Sequence, residues 1–262
     1  MLKRRIIPKL LMKRSRFGGK TRMVLVTTVK YDEVIEIGDP VSQAKIYEAQ
    51  YADELVFLDL DASSDDRDTM VAVIQSAAEQ IFMPITVGGG VRSIADFRRL
   101  LSHGADKVSV NTAAVENPVL IGEAAAIFGA QCVVLSIDCR READGSYRVW
   151  TRGGKTPTGL EPVAWAREGE RRGAGEILIS SIDRDGTRAG LDVELARSVV
   201  NAVSVPVIAS GGCGLAEHFV DGFKGAGADA VAAGTYFCFK DENPMQVRAR
   251  IKNAGIPIRL NT

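Results

Sequence analysis

Along the chain, short runs rich in Val, Ile, Leu and Ala alternate with longer stretches whose apolar residues recur at helical spacing. The short runs predict strands at Ile6–Leu11, Leu55–Asp59, Ile85–Val87, Val108–Val110, Val133–Asp138, Ile177–Ser180, Val207–Ala209 and Ala230–Ala233. The amphipathic stretches predict helices near Val41–Ala49, Thr69–Gln80, Ile94–Leu101, Pro118–Ile127, Val163–Arg171, Val193–Asn201, Ala216–Phe223 and Pro244–Asn253. Eight strands, each followed by a helix, is the count of a (βα)8 TIM-type barrel, here a single α/β domain over residues 1–262. A doubly wound open sheet is the alternative on pattern alone. The strands are continuous apolar runs, as parallel strands covered on both faces are. Two connections are unusually long, Met12–Asp39 and Arg140–Gly159. Both follow a strand, so they are expected at the C-terminal face of the barrel as lid or substrate loops.

The chain carries an internal duplication. "ADELVFLDLDAS" echoes "AGEILISSIDRDGT", "PITVGGGVRS" echoes "PVIASGGCGL", and "GADKVSVNTA" echoes "GADAVAAGTY". The offsets agree: Glu54 to Glu176 is 176 − 54 = 122, Pro84 to Pro206 is 206 − 84 = 122, and Gly104 to Gly227 is 227 − 104 = 123. Two fused half-barrels explain three segments at one offset. In each half a strand ends in glycines, Gly88–Gly89–Gly90 and then Gly211–Gly212. The next strand ends in a small polar pair, Asn111–Thr112 and then Gly234–Thr235. Glycine lets backbone N–H groups approach an anion closely, and a helix start adds partial positive charge. Each half therefore offers a candidate phosphate cradle built on Gly89, Gly90, Asn111 and Thr112 or on Gly211, Gly212, Gly234 and Thr235. The plain alternative is a pair of tight turns that only close βα loops. Two cradles at one mouth suit a small molecule with a phosphate at each end.

Composition narrows the function. Lys+Arg and Asp+Glu both number 33, which argues against a general nucleic-acid or membrane binder. The basic start Lys3, Arg4, Arg5 is followed by too short an apolar run for a signal peptide or a span, so a soluble cytoplasmic protein is expected. The four cysteines form no CxxC pair and read as reduced thiols in or near the core. His103 and His218 sit beside polar residues in helical segments and read as surface groups. Metal-ligand spacing is absent, and neither a redox nor a metal cofactor is expected.

The motifs "DELVFLD", "TVGGG", "GADKVSVNTAAVENP", "GAGEIL", "SIDRDGT" and "PVIASGG" resemble HisF, the cyclase subunit of imidazole glycerol phosphate synthase, over nearly the whole chain. The resemblance implies a (βα)8 barrel with two phosphate sites, partnered by a HisH-like glutaminase whose ammonia crosses the barrel interior. It implies a bisphosphorylated substrate at the far face, converted to imidazole glycerol phosphate and an aminoimidazole carboxamide nucleotide. The family's two catalytic carboxylates end the first and fifth strands. Asp138 in "LSIDCR" matches the fifth. At the first, the family's "IPCLDV" is replaced by "IPKLLM", so Leu11 stands at the aspartate position and Lys9 at the cysteine position. Leucine supplies neither acid nor base, and ring closure with ammonia needs both. Asp185, followed by Gly186 in "SIDRDGT", matches a substrate-contacting aspartate of the family; a turn or cap role is the alternative.

Arg5, Glu54, Lys107 and Glu176 match the family's charged ring at the N-terminal end of the barrel, through which ammonia enters. A salt-bridge plug that only stabilises that end is the alternative. Asp106, beside Lys107, reads as a solvated or partner-facing group. The "LL" of strand one, "SIDCR" and "AVAAGT" are similar to a paralogous HisF group of surface-polysaccharide pathways. Those members work with a HisH-like glutaminase and an N-acetyl sugar amidotransferase that turns an acetamido into an acetamidino group. The expected role is ammonia supply for sugar amidation. A histidine-pathway cyclase and a non-catalytic scaffold that activates its glutaminase are the alternatives.

Overall fold

A computed structural model describes residues 3–17, 20–61, 67–239 and 242–259. In chain order it runs β1 (Arg5–Phe17), β2 (Lys20–Val29), β3 (Glu33–Gly38), α1 (Pro40–Ala49), β4 (Leu55–Asp59), α2 (Arg67–Ala78), β5 (Ile85–Gly88) and α3 (Ile94–Ser102). β6 (Lys107–Val110), α4 (Thr112–Glu116), α5 (Val119–Phe128), β7 (Val133–Arg141), β8 (Tyr147–Thr151), β9 (Thr156–Pro157) and α6 (Pro162–Arg172) follow. The chain ends with β10 (Glu176–Ser181), α7 (Val193–Val200), β11 (Val207–Ser210), α8 (Ala216–Val220), β12 (Ala230–Ala233), α9 (Thr235–Phe239) and α10 (Pro244–Asn253).

Eight strands pair in parallel in the order β1-β4-β5-β6-β7-β10-β11-β12, and β12 returns to β1. The sheet is a closed barrel, not an open doubly wound sheet. Strand alternation explains the continuous apolar runs. Ile6 and Leu10 face outward into the layer shared with the helices. Ile7 faces inward with Val56, Val134, Leu178, Ile208, Ala230 and Ala232, closing the lumen with side chains. Both faces of each strand are largely buried, so apolar residues occur at both parities.

The duplication is visible in the hydrogen bonding. Asp53 accepts from Ile6 N (2.8 Å), Asp106 from Ile85 N (2.8 Å) and Asp229 from Val207 N (3.1 Å). Each aspartate lies one or two residues before a strand and ties the first or second amide of another barrel strand, and the Asp106 and Asp229 bonds are the pair related by the duplication. Asp106 therefore has a structural partner as well as solvent exposure.

The two long connections differ from the expected loops. Met12–Asp39 is an antiparallel arm: β1 runs on past the barrel and pairs with β2 (Leu11↔Val26, Met12↔Leu25), which pairs with β3. Met23, Val24, Leu25 and Val26 are all buried, so burial of a two-sided apolar strand organises the segment. Arg140–Gly159 is likewise a hairpin extension, with β7 pairing β8 through Asp138↔Trp150 and turning at Gly145. The Asp144–Gly145 pair is a hairpin signal. Both insertions follow a barrel strand and lie on its C-terminal side, as expected. Among the described residues no helix is long and apolar enough to cross a membrane.

The remaining helices follow the expected positions within a few residues. The last turn of the Ala216–Phe223 segment is a π-helical bulge, Asp221–Gly225. There a Cβ on Gly222 would fall 2.6 Å from a Val231 methyl, so the bulge seats glycine on β12.

Candidate functional site

At the N-terminal end of the barrel the sequence places Arg5, Glu54, Lys107 and Glu176 on the first residues of strands or immediately before them. The structure brings all four together. Arg5 pairs with Glu54 at 2.8 Å and with Glu176; Lys107 pairs with Glu54 at 2.9 Å and with Glu176 at 2.8 Å. Thr86 Oγ1 donates to Glu54 at 2.6 Å. The carboxylate side chains are 3% and 6% exposed and the cations 24% and 20%, so the acids lie inward and the bases form the outer rim. Burial works against the Arg5 charge, but Glu176 and Glu54 outweigh it and raise its pKa. Above this ring lies the apolar lumen around Ile7 and Val56.

At the other end, Asp138 closes β7. Its Oδ1 accepts from the Tyr31 hydroxyl at 2.9 Å and its Oδ2 from Asn111 Nδ2 at 2.8 Å. Loss of water raises the Asp138 pKa from its ordinary value, against the lowering effects of Tyr31, Lys9 and Asn111. Tyr31 is itself pushed well up, first by burial and then by Asp138 and Asp185. Sequence reasoning missed Tyr31. It stands in the β2–β3 turn beside Lys30, both with positive φ (65° and 53°). Only the folded arm carries it to Asp138.

Asp185 is buried and accepts from Thr28 Oγ1 (2.7 Å) and Lys9 Nζ (3.4 Å). The arm thus supplies partners to both mouth carboxylates. Leu11 faces inward and packs with Val24, Val26 and Leu58, so this position of the first barrel strand is an apolar contact. An open cleft is lined by Lys9, Leu11, Asp185 and Gly186, with the Ser210–Cys213 and Ala232–Thr235 segments around them. It gathers Asp185, Gly186, Gly211, Gly212, Gly234 and Thr235 at one place; Asp138 is not part of its lining.

The two glycine runs are matched in geometry. A Cβ on Gly89 would meet Asp59 O at 2.2 Å, and one on Gly211 would meet Ser181 O at 2.6 Å. The residue offsets are equal: 211 − 89 = 122 and 181 − 59 = 122. Both glycines have positive φ (98° and 92°), so close packing on the preceding strand end requires glycine at each. Beside the first glycine run the β8–β9 turn lies close: Arg152 N donates to Thr112 Oγ1 at 3.0 Å, and Asn111 is engaged with Asp138.

The remaining candidates are structural. His218 Nδ1 accepts from Gly214 N (3.0 Å) and Leu215 N (3.2 Å) at the start of α8. His103 Nδ1 lies 2.7 Å from Arg99 O at the end of α3. All four cysteines are free thiols, with Cys139 and Cys213 buried. Among the described residues no group of three or more His, Cys, Asp or Glu is placed to hold a metal ion.

The comparisons with known proteins give the family of this closed (βα)8 barrel, which is ion-paired at one end and glycine-lined at the other. A family model described as "Histidine biosynthesis protein" matches residues 5–243, and the chain belongs to that family, within it to the HisF type. It is similar over its full length to a protein of Prochlorococcus marinus (strain MIT 9313) named "Putative imidazole glycerol phosphate synthase subunit hisF2". The two are 52% identical over 262 residues, which is 99% of each chain.

Proposed function

We propose that this chain accepts ammonia from a HisH-like glutaminase docked on the closed end of the barrel and delivers it for the conversion of an N-acetyl sugar to its acetamidino form. The observation that carries this reading is the pairing of a complete charged ring with a leucine at the first-strand aspartate position. Arg5, Glu54, Lys107 and Glu176 retain the entry, while Leu11 packs into an apolar cluster and supplies no proton. Asp138 alone is left of the carboxylate pair, and opposed acid and base roles need two groups. The partners are then the glutaminase, on an interface of about 1,200–2,000 Å² in total, and an N-acetyl sugar amidotransferase. A phosphorylated small molecule is the ligand of the mouth. Each cradle binds an anion, one at Gly90 and Thr112 and one at Gly212 and Thr235, and crystals grown in phosphate should carry density at both.

The name of the Prochlorococcus relative favours a second reading, a cyclase subunit of imidazole glycerol phosphate synthase. Reconstitution separates the two. Chain, cognate glutaminase and sugar amidotransferase are incubated with glutamine and an N-acetyl sugar substrate, with and without this chain. Amidino product that depends on this chain supports the first reading. Ordinary turnover of the cyclase substrate, with no dependence of amidation on the chain, would establish the second.

A further inference from the structure

Lys9 is a buried ammonium with most of its hydrogen-bonding capacity unspent. Its side chain is 4% exposed, and its one ion pair, to Asp185, is long at 3.4 Å. An ammonium carries three N–H donors, and among the described residues only Asp185 takes one of them, which leaves the others for whatever enters the cleft. Asp185 is less dependent on the pair, because Thr28 Oγ1 donates to it at 2.7 Å. A second group in the same cleft is also unsatisfied. The Ser210 hydroxyl, on a residue 4% exposed, has no hydrogen-bond partner among the described residues. Lys9 and Ser210 line the cleft together with the Gly211–Gly212 turn, Gly234 and Thr235.

Strand parity explains why Lys9 is there. Arg5, Ile7, Lys9 and Leu11 alternate along β1 on the lumen side, with Arg5 in the lower ring and Ile7 in the apolar layer. Lys9 is the next residue up, so its ammonium stands where the lumen opens into the cleft. A charge with spare donors and an orphaned hydroxyl in one glycine-walled cleft require an acceptor with several oxygens and negative charge.

We propose that Lys9 and Ser210 form the floor of a phosphate-binding site in the second-half cradle, and that the bound phosphate draws the Lys9 ammonium away from Asp185. Phosphate monoesters are the ligand class. Oxygens of the phosphate take the unspent Lys9 donors and the Ser210 hydroxyl proton, while the Gly211–Gly212 backbone and Thr235 hold its sides. Asp185 keeps Thr28 and gains a free oxygen for the ligand's hydroxyls. Because Lys9 stands at the upper end of the lumen, occupancy of the site resets the group that ammonia must pass on leaving the barrel. The inference rests on the reading of this cradle as an anion site and adds its charged residue and its exchange of partners.

Inorganic phosphate is the probe, titrated into the isotope-labelled full chain while the amide signals of Gly212 and Thr235 report the second cradle and those of Gly90 and Thr112 the first. Wild type should saturate at Gly212 and Thr235. Lys9→Met should weaken that binding at least about tenfold, the lower end for loss of a charge-assisted hydrogen bond, while the Gly90 response stays unchanged. Lys9→Arg should keep part of the affinity. Asp185→Asn, which removes the competing carboxylate, should tighten phosphate binding. No response of Gly212 and Thr235 in the wild type would overturn the reading of the cradle itself. A wild-type response that Lys9→Met leaves intact would overturn the role of Lys9 alone, and weaker binding in Asp185→Asn would overturn the exchange of partners. Thermal melts of each variant identify a misfolded chain, for which Ser210→Ala gives the replacement readout: weaker phosphate binding supports the site, and unchanged binding opposes it.

Discussion

Tyr31, at the tip of the β2–β3 turn, hydrogen bonds through its hydroxyl to Asp138 at the end of β7, 107 residues away in the chain, at 2.9 Å. The contact closes an arm that sequence reasoning treats as a loop onto the carboxylate at the end of the fifth barrel strand. It also places an aromatic ring and a phenolic donor directly against Asp138.

This environment makes Asp138 costly to ionise, and stability should show it. Its folded-state pKa lies above the ordinary value, chiefly through loss of water. As pH rises through the ordinary carboxylate range the unfolded chain releases this proton first, so stability is lost from there up through the folded-state pKa. Asp138→Asn removes that loss. It should melt higher than wild type at neutral pH. The gap should close below the ordinary carboxylate range. Calorimetry across pH checks it, and a pH-independent gap would count against the assignment.

The charged ring should be needed for stability as well as for ammonia entry. Lys107→Met leaves Glu54 and Glu176 sharing Arg5 alone, with both carboxylates buried. Breaking such a buried pair costs about 3–5 kcal/mol. Denaturant unfolding should register a loss of that order. In the complex, glutamine-dependent transfer should fall while transfer from added ammonium salts persists. Unaltered coupling would reduce the ring to a plug.

The matched glycines allow a controlled comparison. Gly211→Ala meets Ser181 O at 2.6 Å and keeps a positive φ, whereas Gly145→Ala has positive φ with nothing within 4 Å. Backbone strain alone is about 1–3 kcal/mol. Gly211→Ala should therefore lose more stability than Gly145→Ala, and equal losses would show that the strand-end contact relaxes freely.

Cyclase turnover should be low. With Leu11 in place of a carboxylate, loss of one acid–base partner costs about 10²–10⁴-fold. Leu11→Asp should recover little, because the new carboxylate enters the Val24, Val26 and Leu58 cluster and destabilises the arm. The checks are ammonia-dependent turnover of the cyclase substrate and complementation of a strain lacking its own cyclase subunit. Rates near those of an ordinary cyclase would favour the histidine-pathway reading.

The barrel and its duplication were legible in the spacing of residues along the chain, and the ring through the four residues that match HisF. Apolar runs separated by helical stretches set strand count, the 122-residue offset sets the two halves, and charged residues at strand starts must meet where a closed sheet brings its ends together. Parity along β1 also carries the inward direction of Lys9, once Arg5 is placed in the lumen. What only the tertiary structure decided is which mouth groups touch. Tyr31 and Thr28 reach Asp138 and Asp185 through an arm whose position depends on burying Val24 and Val26 against Leu11, a contact between segments that no periodicity links. Likewise, the spare donors of Lys9 and the orphaned hydroxyl of Ser210 come from burial on strands far apart in sequence, and desolvation is a property of the assembled barrel, not of any stretch of it.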